Sequence, residues 1–228
     1  MESFEAALAL GYRYLETDAH ATADGVLVAF HDDTLDRLTD RTGAICDLQW
    51  ADVRAARVGG RQEIPLLGDV LTAWPDVRVN IDPKHDAAVD PLIDLIRRTG
   101  SIDRVCVGAF SDDRLARIRS ALGDRICTSM GPRQVRRLVL ASRGVPGRGF
   151  SAACVQVPVK FGLVTIVTRR FVAAAHSRDL QVHVWTVNDA AEMHRLLDLG
   201  VDGIMTDRPD VLKAVLEERG SWVDRSSA

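Results

Sequence analysis

With 228 residues, a formal net charge of -3 and a pI near 6.1, the chain can bury the core of one large α/β domain and has no bulk charge to draw it to nucleic acid or an anionic membrane. The four cysteines, Cys46, Cys106, Cys127 and Cys154, have no CxxC spacing, which argues against a zinc site or a disulfide framework and fits reduced, cytoplasmic thiols. No apolar run is long enough to span a bilayer, so stable membrane insertion is not expected; an export signal would have to lie upstream of Met1.

In chain order, short β-branched runs alternate with longer amphipathic segments, the pattern of parallel βα units. Residues 14–18 and 26–30 read as two strands joined at Asp24-Gly25, a strong hairpin signal between apolar runs. Further strands are expected at 79–81, 105–109, 126–129, 155–157, 182–186 and 203–206. Helical spacing appears between them, as in Leu92, Leu95 and Ile96, or Met193, Leu196 and Leu197. Gly59-Gly60 and residues 142–151 read as loops. Nothing reads as a domain linker, so one domain over residues 1–220 with a frayed polar tail at 221–228 is expected.

The chemistry gathers near the hairpin. Alternation along 14–18 puts Glu16 and Asp18 on one face, where both reach one cation, and the turn carries His31 back toward the end of the first strand. Carboxylates beside an imidazole suit phosphodiester cleavage, which must place negative charge on phosphoryl oxygens and protonate a poor alkoxide leaving group. Glu16, Asp18 and Asp82 are the candidate metal ligands, each at the C-terminal end of a strand, where barrel sites form. Oxygen donors without a cysteine point to Mg²⁺ or Ca²⁺ over zinc. Any one of these acids alone reads more readily as a rim salt-bridge partner; their combined spacing points to a metal. Lys84, on the same strand face as Asp82, offers a point charge to a phosphate oxygen, a role compatible with pairing to Asp82. His31 is the candidate general acid, against the alternative of a free-standing surface histidine. His20, His85, His176 and His194 are weaker candidates, and His183, sharing a face with Trp185, reads as a packed interior residue. The arginines at 133, 136, 137, 143 and 148 read as a solvated helix face and loop.

The stretch LETDAHATADGVLVAFHDDTLDRLTDRTG resembles the glycerophosphodiester phosphodiesterase family, whose pattern runs roughly E-x-D-V-x-x-T-x-D-G-x-x-V-x-x-H-D-x-x-L-x-R-x-T. In order after it, Asn80-Ile81-Asp82-Pro83-Lys84, Phe110-Ser111, Val184-Trp185-Thr186-Val187-Asn188 and Gly200 through Asp207 match later family segments, so the resemblance covers essentially the whole chain. It implies a TIM (β/α)8 barrel whose first strand, ending in His-Arg-Gly, is missing from this chain, with the helix at 2–10 as the first element present. A late assigned start is the favoured explanation.

The resemblance also implies a small-molecule glycerophosphodiester substrate, cleaved to an alcohol and glycerol 3-phosphate as part of phospholipid and glycerol metabolism. Trp185 matches a strand-end tryptophan that walls the glycerol pocket, a core tryptophan being its alternative. Asp82 stands where many relatives have glutamate, so its reach is shorter by about 1.5 Å and a water can complete the contact. His31 falls opposite the absent first histidine. The rival expectation is a barrel that binds a metal and a phosphorylated ligand without turnover.

Overall fold

The computed structural model describes residues 1–146 and 149–225, leaving Arg148 of the basic loop and residues 226–228 of the expected tail outside the described residues. The chain divides into two compact units, Met1–Glu5 with Arg13–Cys127, and Ala6–Tyr12 with Thr128–Ala228.

In the first unit, β1 (Tyr14–Ala21) turns into β2 (Leu27–Ala29), and β3 (Arg78–Pro83) and β4 (Val105–Val107) follow; β5 (Cys127–Thr128), whose first residue ends this unit, completes the sheet order β2-β1-β3-β4-β5. The hairpin pairs antiparallel, with Ala19 opposite Ala29 and His20 opposite Val28. Its turn is built from side chains: Thr22 Oγ1 donates to Asp24 Oδ1 at 2.6 Å and accepts from Val26 N at 3.0 Å, while Gly25 takes the left-handed φ of 80° that the turn needs. Asp24 Oδ1 also accepts from Trp50 N at 2.9 Å, tying the turn to the start of the Trp50–Arg54 helix.

β1 and β3 run parallel with Glu16 opposite Asn80 and Asp18 opposite Asp82, and β3 continues parallel to β4 with Ile81 opposite Val107. Period-two alternation then divides the sheet. Leu15, Thr17 and Ala19 of β1 and Val79 and Ile81 of β3 are buried on one face, while Glu16, Asp18, His20, Asn80 and Asp82 share the other. The Val89–Thr99 helix buries Leu92, Ile93, Leu95 and Ile96 and ends at Gly100, whose φ of 61° closes its C-terminus. The Asp112–Leu122 helix starts where Ser111 Oγ accepts from Arg114 N at 3.3 Å, so Ser111 serves as a helix cap while β4 itself stops at Val107. A separate apolar cluster of Val28, Phe30, Leu35, Ile45, Val53, Ala56 and Ile64 holds the segment after the hairpin.

In the second unit, β6 (Cys154–Pro158), β9 (Gln181–Trp185) and β10 (Gly203–Ile204) form a parallel sheet in the order β10-β9-β6, and β7 (Lys160–Phe161) with β8 (Val164–Thr165) makes an antiparallel hairpin that the sequence pattern does not announce. Its core is aliphatic, with Val155, Val182, Val184, Leu196 and Met193 around fully buried Phe171. Gly203 is glycine for a steric reason: a Cβ there would stand 2.9 Å from His183 Cδ2. His183 is half-buried between Gln156 and Gln181, in line with a packed histidine.

The eight strands expected from the sequence are all present, with ends shifted by one to three residues. Residues 221–225 are docked rather than frayed: the Trp222 ring packs edge-on against Tyr12 at 4.9 Å and Arg225 N donates to Gly11 O at 2.9 Å. Tyr12 Oη in turn donates to Pro209 O at 2.7 Å. The aromatic and backbone contacts outweigh the polar composition that reads as disorder. Arg133, Arg136 and Arg137 lie exposed on the Pro132–Ala141 helix, as a solvated face.

Candidate active site

Five of the six residues singled out by sequence come together in the first unit. Asp18 and Asp82 are brought side by side by the parallel register of β1 and β3. Lys84 lies just past the end of β3, with its backbone N donating to Ala19 O at 3.1 Å. Its Nζ reaches both acids, 2.7 Å from Asp18 Oδ1 and 3.1 Å from Asp82 Oδ2. On the other side of Asp18, His31 Nε2 is 3.9 Å from Oδ2. The backbone fixes that approach, since Phe30 N donates to Asp18 O at 3.2 Å and so places the next residue beside the acid.

Glu16, one β repeat earlier on the same face, feels all four of these groups. Dehydration raises its pKa, the negative charges of Asp18 and Asp82 add to that, and Lys84 and His31 pull the other way; the result is pushed up to about 7. Its side chain is open to solvent, so the dehydration part is weaker than a sealed carboxyl would feel. Repulsion from Asp18 and Asp82 adds to the upward direction. Asp82 is raised for the same reasons, burial first and Asp18 after it, with Lys84 opposing. For Lys84, burial works against the ammonium, but the hydrogen bond and charge of Asp18 and the charge of Asp82 prevail and raise it.

His31 is oriented from behind. Its Nδ1 donates to Asp32 Oδ1 at 2.7 Å, and Arg37 grips both oxygens of Asp32 at 2.7 Å each. The Arg37 hydrogen bonds, then that from His31, hold the Asp32 carboxyl down to about 2. Nδ1 thus carries a proton and Nε2 is the nitrogen turned toward Asp18. Sequence reasoning passed over Asp32 and Arg37 as partners of His31, although the His-Asp-x-x-Leu-x-Arg spacing contains both.

The same reasoning ranked His20 and His85 low, yet they meet at Asp33. His85 Nε2 lies 3.2 Å from Asp33 Oδ1, and His20 Nδ1 lies 4.0 Å from the same oxygen. Among the described residues, this is the only trio of His, Cys, Asp or Glu whose donor atoms all fall within 4.8 Å of one another. The signal was parity: His20 is on the Glu16 and Asp18 face of β1.

Trp185 belongs to the second unit, half-buried at the last position of β9 and opposite Pro158 of β6. The segment after it is locked by Asn188, whose Oδ1 accepts from Thr206 Oγ1 and from Asp207 N at 2.9 Å each, and whose Nδ2 donates to Asp207 Oδ2 at 3.0 Å. The W-T-V-N and T-D signatures are therefore one hydrogen-bonded connection. No helix among the described residues is long and apolar enough to cross a membrane.

β1 runs on to Ala21, so Glu16 and Asp18 lie within the strand and not at its C-terminal end as the shorter expected strand implied, while Asp82, Lys84 and His31 lie at or just past strand ends; the chain has the TIM-barrel fold class of its solved neighbours. It belongs to the glycerophosphoryl diester phosphodiesterase family, whose model matches residues 1–211. It is 42% identical to the "Probable glycerophosphodiester phosphodiesterase 2" of Mycobacterium tuberculosis, over 97% of this chain and 86% of that protein. It superposes with a TM-score of 0.82 on a protein from Silicibacter pomeroyi assigned as a glycerophosphoryl diester phosphodiesterase, at 25% identity, covering 98% of this chain and 90% of the other. An Oleispira antarctica phosphodiesterase solved with its product sn-glycerol-3-phosphate matches with a TM-score of 0.77 over 94% of this chain and 90% of its own, and at 18% identity shares the fold. These matches make the chain a member of an enzyme family of phosphoric diester hydrolases.

Proposed function

We propose that this protein hydrolyses a glycerophosphodiester to an alcohol and glycerol 3-phosphate, with Glu16, Asp18 and Asp82 holding a divalent cation, Lys84 on the phosphate and His31 as general acid. The observation that carries the reading is the in-register pair Asp18 and Asp82, bridged by Lys84 and flanked by His31 Nε2. The donor chemistry suits a hard cation: Lys84 bridges Asp18 and Asp82, Glu16 lies one β repeat earlier on the same face, and the upward push on Glu16 and Asp82 is one that a bound positive charge relieves; the three side chains would have to draw closer than they stand here to share one ion. Mg²⁺ or Ca²⁺ suits all-oxygen donors. Such an ion supplies the positive charge that draws electron density from the phosphoryl oxygens.

The remaining work falls to side chains. Lys84, released from one acid, pairs its ammonium with a non-bridging phosphate oxygen. His31 gives the Nε2 proton to the departing alkoxide while Asp32 stabilises the ring through Nδ1. Water adds to phosphorus as the bond to the alcohol breaks; one of its protons stays on the phosphate product and the other passes to solvent, from which His31 is reprotonated, so the products are the free alcohol and glycerol 3-phosphate.

The test is release of glycerol 3-phosphate from a glycerophosphodiester by the purified protein, with and without a chelator and with Mg²⁺ or Ca²⁺ restored. Chelation should abolish release and the added ion should restore it. Tight binding of glycerol 3-phosphate with no turnover under any ion would overturn the reading in favour of a binding protein.

A further inference from the structure

His20, Asp33 and His85 have no part in the chemistry above, yet three separate segments converge to bring them together. His20 is on the polar face of β1, two residues beyond Asp18 and 1% exposed. Asp33 follows the His31-Asp32 pair after β2, and His85 follows Lys84 after β3. The two rings stand 5.5 Å apart between centroids, tilted toward each other.

The hydrogen bonding leaves a gap in the middle of this trio. His20 Nε2 faces the His31 carbonyl oxygen at 3.4 Å, and since a carbonyl only accepts, Nε2 carries the hydrogen. In the neutral ring Nδ1 is then a lone pair, and it faces Asp33 Oδ1 at 4.0 Å. His20 Nδ1 and Asp33 Oδ1 then face each other as two acceptors, the oxygen being met only from the His85 side, and a positive ion among the three would engage the His20 lone pair as well. His85 Nε2 converges on the same oxygen from the other side.

The donor chemistry specifies the kind of ion. Two imidazole nitrogens with one carboxylate oxygen suit borderline divalent transition metals, whereas Mg²⁺ and Ca²⁺ take oxygen. With metal–ligand bonds of about 2.0–2.2 Å, neighbouring donors in a tetrahedral site stand roughly 3.4 Å apart. The 3.2 Å between His85 and Asp33 already meets that spacing, and the 4.0 Å to His20 exceeds it by little. Asp33, with a side chain 67% exposed, is free to turn and close the difference against a histidine held in a strand.

We propose that His20, Asp33 and His85 form a binding site for a borderline divalent transition-metal ion such as Zn²⁺ or Co²⁺, separate from the oxygen site of Glu16, Asp18 and Asp82. Such an ion ties the end of β1 to the segments after β2 and β3, so binding should also raise the thermal stability of the protein.

Co²⁺ is the probe, because its visible absorption reports imidazole ligation without reference to activity. The full chain is titrated with Co²⁺ in excess Mg²⁺, alongside His85→Ala, Asp33→Asn, His20→Gln and Glu16→Gln. The wild type should bind one Co²⁺ that Mg²⁺ does not displace. His85→Ala and Asp33→Asn, both at solvent-reached positions, should weaken it by more than the ~10–100-fold that loss of an outer-shell partner costs, and Glu16→Gln should leave the spectrum unchanged. Should His20→Gln fail to fold, the two exposed variants still decide the matter. Absence of Co²⁺ uptake by the wild type would reduce the trio to an imidazole–carboxylate pair and overturn the proposal. So would uptake that Glu16→Gln abolishes and His85→Ala spares, which would assign the ion to the acid site. Glycerol 3-phosphate release with Mg²⁺ or Ca²⁺ tests the catalytic reading separately, so the two can fail independently.

Discussion

The two units use the same parallel strands for opposite purposes. In the second, the strand side chains at Val155, Val157, Val182 and Val184 join Phe171, Leu196 and Met193 in an aliphatic core. In the first, β1 buries Asp18 and His20 within eight residues, beside Asp82 on β3. Buried polar groups cost folding free energy unless paired, so this strand is tolerated only because Lys84, His31 and the hairpin backbone answer its charges. In the first unit one strand face is packed and the other carries Glu16, Asp18, His20 and Asp82, whereas the second unit's strands contribute no carboxylate to either face.

The sharpest way to break that contrast is Asp18→Ala. It strands Lys84 beside a lone Asp82 and removes a first-shell oxygen, so glycerol 3-phosphate release should fall to background and calorimetric Mg²⁺ or Ca²⁺ binding should vanish, a loss of several kcal/mol of transition-state stabilisation. Unchanged ion affinity would remove Asp18 from the ligand set.

Next in size, His31→Ala should lower kcat by about 10²–10⁴ with a natural alcohol leaving group and far less with a nitrophenolate, which leaves without help. Equal losses with both substrates would mean that His31 positions the substrate instead of donating a proton.

The matching experiment in the second unit is Phe171→Ala. Emptying the centre of the aliphatic core should cost about 3–5 kcal/mol in urea unfolding, which a polar-faced strand position such as Asn80 would not match. Arg37→Ala comes below these. With Asp32 no longer gripped, His31 wanders, and kcat should drop by roughly tenfold while chelator sensitivity stays the same.

The smallest effect concerns Glu16. Its folded pKa near 7 exceeds the ordinary 4.5, so the stability contributed by its protonated form is complete below about 4.5 and is lost as pH rises through 7. Discounted for its solvent exposure to ~1 kcal/mol, this predicts that Glu16→Gln raises the Tm of the metal-free protein by roughly 2–4 °C at pH 8 and not at pH 4. An equal shift at both pH values would show that the carboxylate is not strained.

Much of this was legible in the chain. Period-two alternation placed Glu16 with Asp18, and Asp82 with Lys84, and Asp24-Gly25 announced the hairpin that returns His31. The hairpin of β7 and β8 was not legible, since its strands are two residues each and carry no alternation to detect. Nor was the docking of residues 221–225, because a single Trp222 meeting Tyr12 leaves no periodic trace in a polar segment.

The sequence by itself determined which residues carry charge, which strand face each occupies and the order of the elements, because these depend on spacing along one strand. Tertiary structure alone decided who meets whom. That Asp18 stands opposite Asp82, that Lys84 closes on both, that Arg37 braces Asp32, and that His20 and His85 share Asp33 all depend on the register between segments far apart in the chain. Register between parallel strands is set by packing of their buried faces across the whole sheet, and no local pattern encodes it.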